Sequence, residues 1–96
     1  MQGTKFELGQ LVWTRGVADR IADESEFAKF ATQSLKRYAK GDWGNICEED
    51  KNRNDLAVEA GNLRIFSAYK HPILPKIWII TEADRSVTTT LFPDEY

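Results

Sequence analysis

Sulfhydryl and imidazole chemistry are nearly absent from this chain: Cys47 is its one cysteine and His71 its one histidine. A lone cysteine excludes an intramolecular disulfide framework, and a reducing, cytoplasmic location is the expectation that follows. No apolar run reaches the roughly 18 residues of a membrane span, and the opening MQGTKFELGQ lacks the basic-then-apolar layout of a secretion signal. No membrane association is expected. Missing too are HExxH, GxSxG, a phosphate-binding glycine loop and paired CxxC knuckles, so the sequence reads as that of a non-enzyme. Basic residues are scattered, with only Lys36, Arg37 and Lys40 forming a small cluster. An isoelectric point near 5.4 opposes general phosphate affinity, and direct nucleic-acid binding is not expected.

What the chain does have is aromatic mass and misplaced charge. Three Trp, three Tyr and five Phe, in 96 residues of which 42% are hydrophobic, suffice for one modest core and a single domain over 1–96. The net charge of −2 is unevenly distributed. Asp42, Glu48, Glu49, Asp50 and Asp55 stand against Lys51 and Arg53, which leaves ten acids and eleven bases in the rest of the chain. The acidity is therefore concentrated around Cys47, in the stretch GDWGNICEEDKNRND.

Periodicity gives the elements. Phe6 to Trp13 fits a short strand or an extended arm, and VADRIAD a helix of about two turns. Asp23 with Glu26 reads as a capping box for a helix whose apolar face is Phe27, Phe30, Ala31, Leu35 and Tyr38, ending at Gly41. Asn45 with Glu48 reads as a second box, for a helix from about Ile46 to Ala60 that stops at Gly61. Leu63–Lys70, Lys76–Glu82 and Val87–Phe92 are rich in β-branched and aromatic residues and predict three antiparallel strands, the middle one central. The fold expected is α+β: two or three helices packed on a three- or four-stranded antiparallel sheet.

The helix near Cys47 is apolar only at its ends, and Asp50 and Asn54 fall where a core stripe is expected. A carboxylate turned inward costs several kcal/mol unless it is paired, so both residues should have partners. In one reading these are structural: the two residues cap a loop or pair with an arginine such as Arg15, Arg20 or Arg64, holding the helix to the sheet. In a second, Cys47 and Asp50, joined by Asp42 or His71, bind one zinc ion; otherwise no cofactor is expected. In a third, Asp42, Glu48, Glu49 and Asp55 form an acidic surface that meets a basic partner protein. As a nucleophile Cys47 is ambiguous, because neighbouring carboxylates raise a thiol pKa and a helix N-terminus lowers it. Ile73 and Leu74, in a loop between two prolines, either tuck onto the sheet or form a contact patch. They and the tail Phe92–Tyr96 are candidate homodimer contacts, the tail alternatively covering the sheet within one chain.

The strings LGQLVWTRGVADRI, GDWGNICEEDKNRND and KIWIITEADRSVTTTLFPDEY together resemble a family of small proteins from bacterial plasmids, phages and integrated elements, often labelled "plasmid-related". The likeness covers nearly the whole chain after Glu7. Small non-enzymatic proteins of such elements are often inhibitors of host defence, anti-CRISPR and anti-restriction proteins among them. The resemblance thus implies a protein that binds a host CRISPR or restriction nuclease and blocks its access to DNA. Two other functions stay open: a small zinc-binding domain or metal-dependent enzyme centred on Cys47 and Asp50, and a regulator of mobile-element maintenance.

Overall fold

A computed structural model describes residues 4–96. In chain order the elements are β1 (Gln10–Trp13), α1 (Arg15–Asp23), α2 (Ser25–Ala39), α3 (Glu48–Ala60), β2 (Ile65–Tyr69), β3 (Ile77–Thr81) and β4 (Val87–Leu91), with a 3-10 turn at Pro93–Glu95. The architecture is α+β, three helices and one four-stranded sheet in the order β1-β4-β3-β2. The sheet is mixed, which corrects the expectation of a purely antiparallel one. β2, β3 and β4 run antiparallel to their neighbours, but β1 lies parallel to β4, with Leu11 opposite Thr88 and Trp13 opposite Thr90. Strand direction is not written in local periodicity. A parallel pair needs a long crossover, and here the three helices and the β2–β3 hairpin together supply it.

Three helix starts differ from the reading above, the first only in that α1 begins at Arg15, two residues before the VADRIAD run. Thr14 caps α1 by accepting from the Val17 amide at 3.4 Å, and its hydroxyl donates to Glu95 Oε1 at 2.6 Å. Asp23 does not open α2, because it is the last residue of α1; Glu24 is at once the C-cap of α1 and the N-cap of α2, in extended conformation. With one residue between two helices, no separate capping box fits there, and the Glu24 carboxylate instead accepts from Arg20 Nε at 2.8 Å. The second box is also absent. Cys47 is the N-cap of α3, without a side-chain bond, and the helix starts at Glu48 rather than Ile46. Gly61 ends α3 at φ +78°, as its position promised.

The apolar face of α2 is buried as expected: Phe27, Phe30, Ala31, Leu35 and Tyr38 pack with Val17, Ile65, Tyr69, Ile77 and Ile79 in one cluster. Through this cluster runs a one-way chain of hydroxyls. Thr88 donates to the Leu8 carbonyl at 2.6 Å, so its oxygen accepts from Thr81 at 2.7 Å, and Thr81 in turn accepts from Tyr38 at 2.8 Å. The Tyr38 proton is shared with the Ile65 carbonyl at 3.2 Å. The hydroxyls of Tyr38, Thr81 and Thr88 are thereby satisfied without water, the condition under which buried polar groups cost little.

The other face of the sheet is finished by the chain's own aromatics. Trp78 meets Phe66 edge-on at 5.1 Å and Tyr96 at 5.8 Å, and Arg64 lies over the Tyr96 ring while donating to its hydroxyl at 2.9 Å. The C-terminal tail therefore docks on its own sheet. Among the described residues no helix is long and apolar enough to cross a membrane.

Candidate functional site

The acidic stretch divides into a connecting hairpin, Gly41–Cys47, and the helix α3, and both are built around the outer edge of β2. Trp43 is the pin. Its ring is buried against Phe6 at 5.8 Å and Tyr38 at 5.6 Å, and its indole N–H donates to Asp55 Oδ1 at 2.9 Å. An aromatic body in the core with a polar tip at a carboxylate is how tryptophan joins two layers. Asp42 turns the chain into this hairpin: Arg37 donates to it through Nε at 2.7 Å and Nη2 at 3.1 Å, and the Gly44 amide donates at 3.2 Å. The hydrogen bond from Arg37 holds the Asp42 carboxyl below the ordinary carboxylate range. The Asp42 carbonyl accepts from the Tyr69 hydroxyl at 2.6 Å. Gly44 then runs against β2 at φ +71°, where a Cβ would collide with the Ala68 carbonyl and the Tyr69 ring. Only glycine fits such an approach.

From here the polar residues of α3 find their partners. Asn54, buried, donates from Nδ2 to the Phe66 carbonyl at 2.7 Å and accepts the Phe66 amide on Oδ1 at 3.3 Å. Its side-chain amide pairs with β2 as a further strand would. Next along the edge, the Asn45 backbone donates to the Ala68 carbonyl at 2.7 Å, and Asn45 Oδ1 accepts the Lys70 amide at 2.9 Å. Asn45 is thus occupied with the sheet rather than with the helix it was expected to cap. Arg85, at φ 62°, reaches from the β3–β4 turn to the carbonyls of Ala57 at 2.8 Å and Leu63 at 2.6 Å. This guanidinium adds a second bond to the Ala57 carbonyl, which already accepts the Gly61 amide at 2.9 Å, and opposes the negative end of the helix dipole.

The remaining candidates lie at the surface or in separate contacts. Asp50 is half-exposed and pairs with Arg53 of its own helix at 3.5 Å, not with Arg15, Arg20 or Arg64; Arg20 goes to Glu24, and Arg64 to Glu82 and Tyr96. Helical spacing puts Asp50 in line with Asn54 and Ala57, but the fully buried part of α3 is confined to those two, which leaves Asp50 at the surface. Glu48 pairs with Lys51 at 3.7 Å and Glu49 with Arg53 at 3.2 Å, both carboxylates well exposed. Cys47 is exposed. His71 packs edge-on against Phe30 at 5.2 Å, and its Nδ1 accepts the amides of Ile73 and Leu74 at 3.1 Å. Among the described residues no three His, Cys, Asp or Glu side chains group to hold a metal. The pair Ile73–Leu74 splits, Leu74 packing on the core while Ile73 is 88% exposed.

What this region presents outward is a helix face of Glu48, Glu49, Asn52, Arg53, Asp55, Leu56 and Glu59, with Leu56 62% exposed among the acids. Five acids and two bases stand on α3, against one acid and three bases on α2. The charge of α3 and the need of Asn54 for a partner that holds the helix to the sheet are legible in the sequence, the latter from an asparagine at a core position of the helix; that the partner is the Phe66 backbone, and the roles of Asn45 and Arg85, are not. Comparison of the chain with protein-family models, with curated proteins and with solved structures returns no match.

Proposed function

We propose that the protein is a non-catalytic inhibitor that docks the outer face of α3 onto a basic groove of a host-defence nuclease of the CRISPR or restriction type, and so denies that groove to DNA. The observation that carries the reading is the fixed, exposed, net negative face of α3 around Leu56. Asn54 holds the helix to β2, Arg85 holds its end and Asp55 ties it to the buried Trp43, so its carboxylates are presented by a rigid element. A preordered charged face loses little conformational entropy on docking and speeds encounter with a surface of opposite sign. An apolar residue within it supplies the desolvated centre that charge alone does not. The choice of a nuclease as partner rests on the resemblance to proteins of mobile elements.

The test compares the parent with a Glu48→Lys, Glu49→Lys, Glu59→Lys triple variant against purified CRISPR effectors and restriction enzymes, reading DNA binding. Asp55 is left in place because it holds Trp43. The expected result is that the parent blocks DNA binding by at least one of these nucleases, and that charge reversal weakens inhibition by about tenfold or more. Reversal of Lys29 and Lys36 on α2, with an unchanged circular dichroism spectrum, serves as control and leaves inhibition intact. If the parent inhibits none of the nucleases, or the triple variant inhibits as well as the parent, the reading is wrong.

A further inference from the structure

We propose that two copies of this chain pair through their β1 edges, antiparallel and centred on Val12, to make one continuous eight-stranded sheet from two four-stranded ones. The direction of the unpaired groups follows from the bonds already made. Gln10 donates to the Ser86 carbonyl and Thr14 to the Thr90 carbonyl, each at 3.0 Å. Since backbone direction alternates with a period of two along a strand, Val12 also faces β4, while Leu11 and Trp13 aim their N–H and C=O groups away from the sheet. β1 is the terminal strand on that side, and neither residue has another backbone partner among the described residues. Leu11 is 46% and Trp13 38% exposed.

Exposed strand edges in soluble proteins are ordinarily blunted by charge, proline, a bulge or a covering element. QLVW carries no charge and no proline, and its register against β4 is unbroken over four residues. The chain has the means to cover an edge, because it covers that of β2 with Asn54 and Asn45. Nothing comparable lies on β1 among the described residues.

The occupant that fits is a second copy, since the edge is complementary to itself. A two-fold axis through Val12 sets Leu11 opposite Trp13 of the second copy, and Trp13 opposite its Leu11. Both are the outward-facing residues, so each pair exchanges two bonds, as in any hydrogen-bonded antiparallel pair. Leu11 and Trp13 share the sheet face of Thr88 and Thr90, so the same register stacks an indole against an aliphatic side chain twice, a favourable cross-strand pair. It also places Gln10 beside Thr14, and as QLVW carries no charge the paired strands meet no like charge. An isologous contact of this kind closes after two copies and does not propagate. Because α3 flanks β2 at the far side of each sheet, the dimer carries its two acidic helices at its outer ends.

Sedimentation velocity of the tag-free protein across a concentration series tests the pairing. A species of twice 11.0 kDa is expected, and Leu11→Lys, which puts a charge on the edge at an already exposed position, raises the dissociation constant at least ~10-fold with the circular dichroism spectrum unchanged. The register is tested separately. At the axis the two Val12 residues form a non-hydrogen-bonded pair with Cα atoms about 4.5 Å apart, within disulfide reach. Val12→Cys in a Cys47→Ser background should therefore oxidise to a covalent dimer, whereas Ile73→Cys in the same background should not. A parent that stays monomeric up to roughly 0.5 mM, a dimer that Leu11→Lys leaves intact, or a Val12→Cys variant that cross-links no better than Ile73→Cys each overturns the proposal. So does a β1 edge found occupied by a strand of another protein.

Discussion

The two edges of the sheet are finished in opposite ways. β2 has all but one of its five residues buried, and its outward groups at Phe66, Ala68 and Lys70 are taken by Asn54 and Asn45. β1 has three of four residues exposed and two residues aiming their backbone groups at solvent. One sequence thus both solves the edge problem and leaves it standing. The difference shows why α3 looks so unlike a core helix. It is not there to bury a long stripe, since its fully buried residues are Asn54 and Ala57, with Val58 packed beside them. It is there to end a sheet, and a helix that ends a sheet needs a side chain with one donor and one acceptor at the right height.

The largest test of this contrast removes that side chain. Asn54→Ala leaves the Phe66 amide and carbonyl facing a partly buried gap, and each unpaired group costs ~1–3 kcal/mol. The expected loss is about 2–4 kcal/mol in urea unfolding, with the reduced figure allowing for water entering the gap. Asn54→Asp should be nearly as damaging, because it keeps the acceptor for the Phe66 amide but sets a carboxylate against the Phe66 carbonyl. At the open edge, by contrast, Leu11→Ala should change the stability of the isolated chain by no more than ~1 kcal/mol, as for a half-exposed leucine. Equal losses at the two positions would erase the distinction drawn between the edges.

A second test uses protons. Burial pushes the hydroxyls of Tyr69 and Tyr38 above their ordinary pKa of 10.0. Tyr69 donates to the Asp42 carbonyl in the hairpin that closes β2, and Tyr38 feeds the hydroxyl chain beneath the sheet. Below pH 10 both the folded and the unfolded chain keep these protons, and the contribution is fully present. Above it the unfolded chain releases them while the folded chain retains them, so stability falls by up to ~1.4 kcal/mol per tyrosine for each further pH unit. Unfolding midpoints should therefore drop between pH 10 and 11, and drop less in Tyr69→Phe. A midpoint indifferent to pH over that interval would mean that the phenols are not sealed from solvent.

How much of this was legible in advance depends on how local each cause is. The buried face of α2 and the positions of β2, β3 and β4 follow from spacing alone, and the structure places them within about two residues of the expected ranges. The parallel placement of β1 was not legible, because it depends on where the chain returns some seventy-five residues later. The start of α3 was misread for a different reason. Asn45 has the chemistry of a cap, but the Ala68 carbonyl and Lys70 amide compete for it and win. The same holds for Asp23, which lost its role to a helix–helix junction one residue long. Local signals name what a side chain can do, while the edge of a sheet decides what it does. Of the candidate site, the charge of α3 and a structural role for Asn54 in holding the helix to the sheet were readable, whereas the partners were not, since Arg85 and Asp55 bind across 28 and 12 residues.

The smallest expected effect has the opposite sign, and it follows from that displaced start. Cys47 occupies the N-cap of α3 in extended conformation, φ −71° and ψ 161°, with no side-chain bond to the first turn. The geometry is that of a good cap, as Thr14 shows with nearly the same angles, φ −65° and ψ 161°, and a bond to Val17. Sulfur is a weak acceptor at this position, whereas a serine oxygen satisfies one of the free amides. Cys47→Ser should therefore stabilise the protein by about 0.5–1 kcal/mol in urea unfolding. The gain should persist in an Asn54→Ala background if the cap acts on the helix itself, and vanish there if α3 no longer folds once its hold on β2 is gone. The double-mutant cycle thus measures whether the acidic helix stands independently or exists as the closure of the β2 edge.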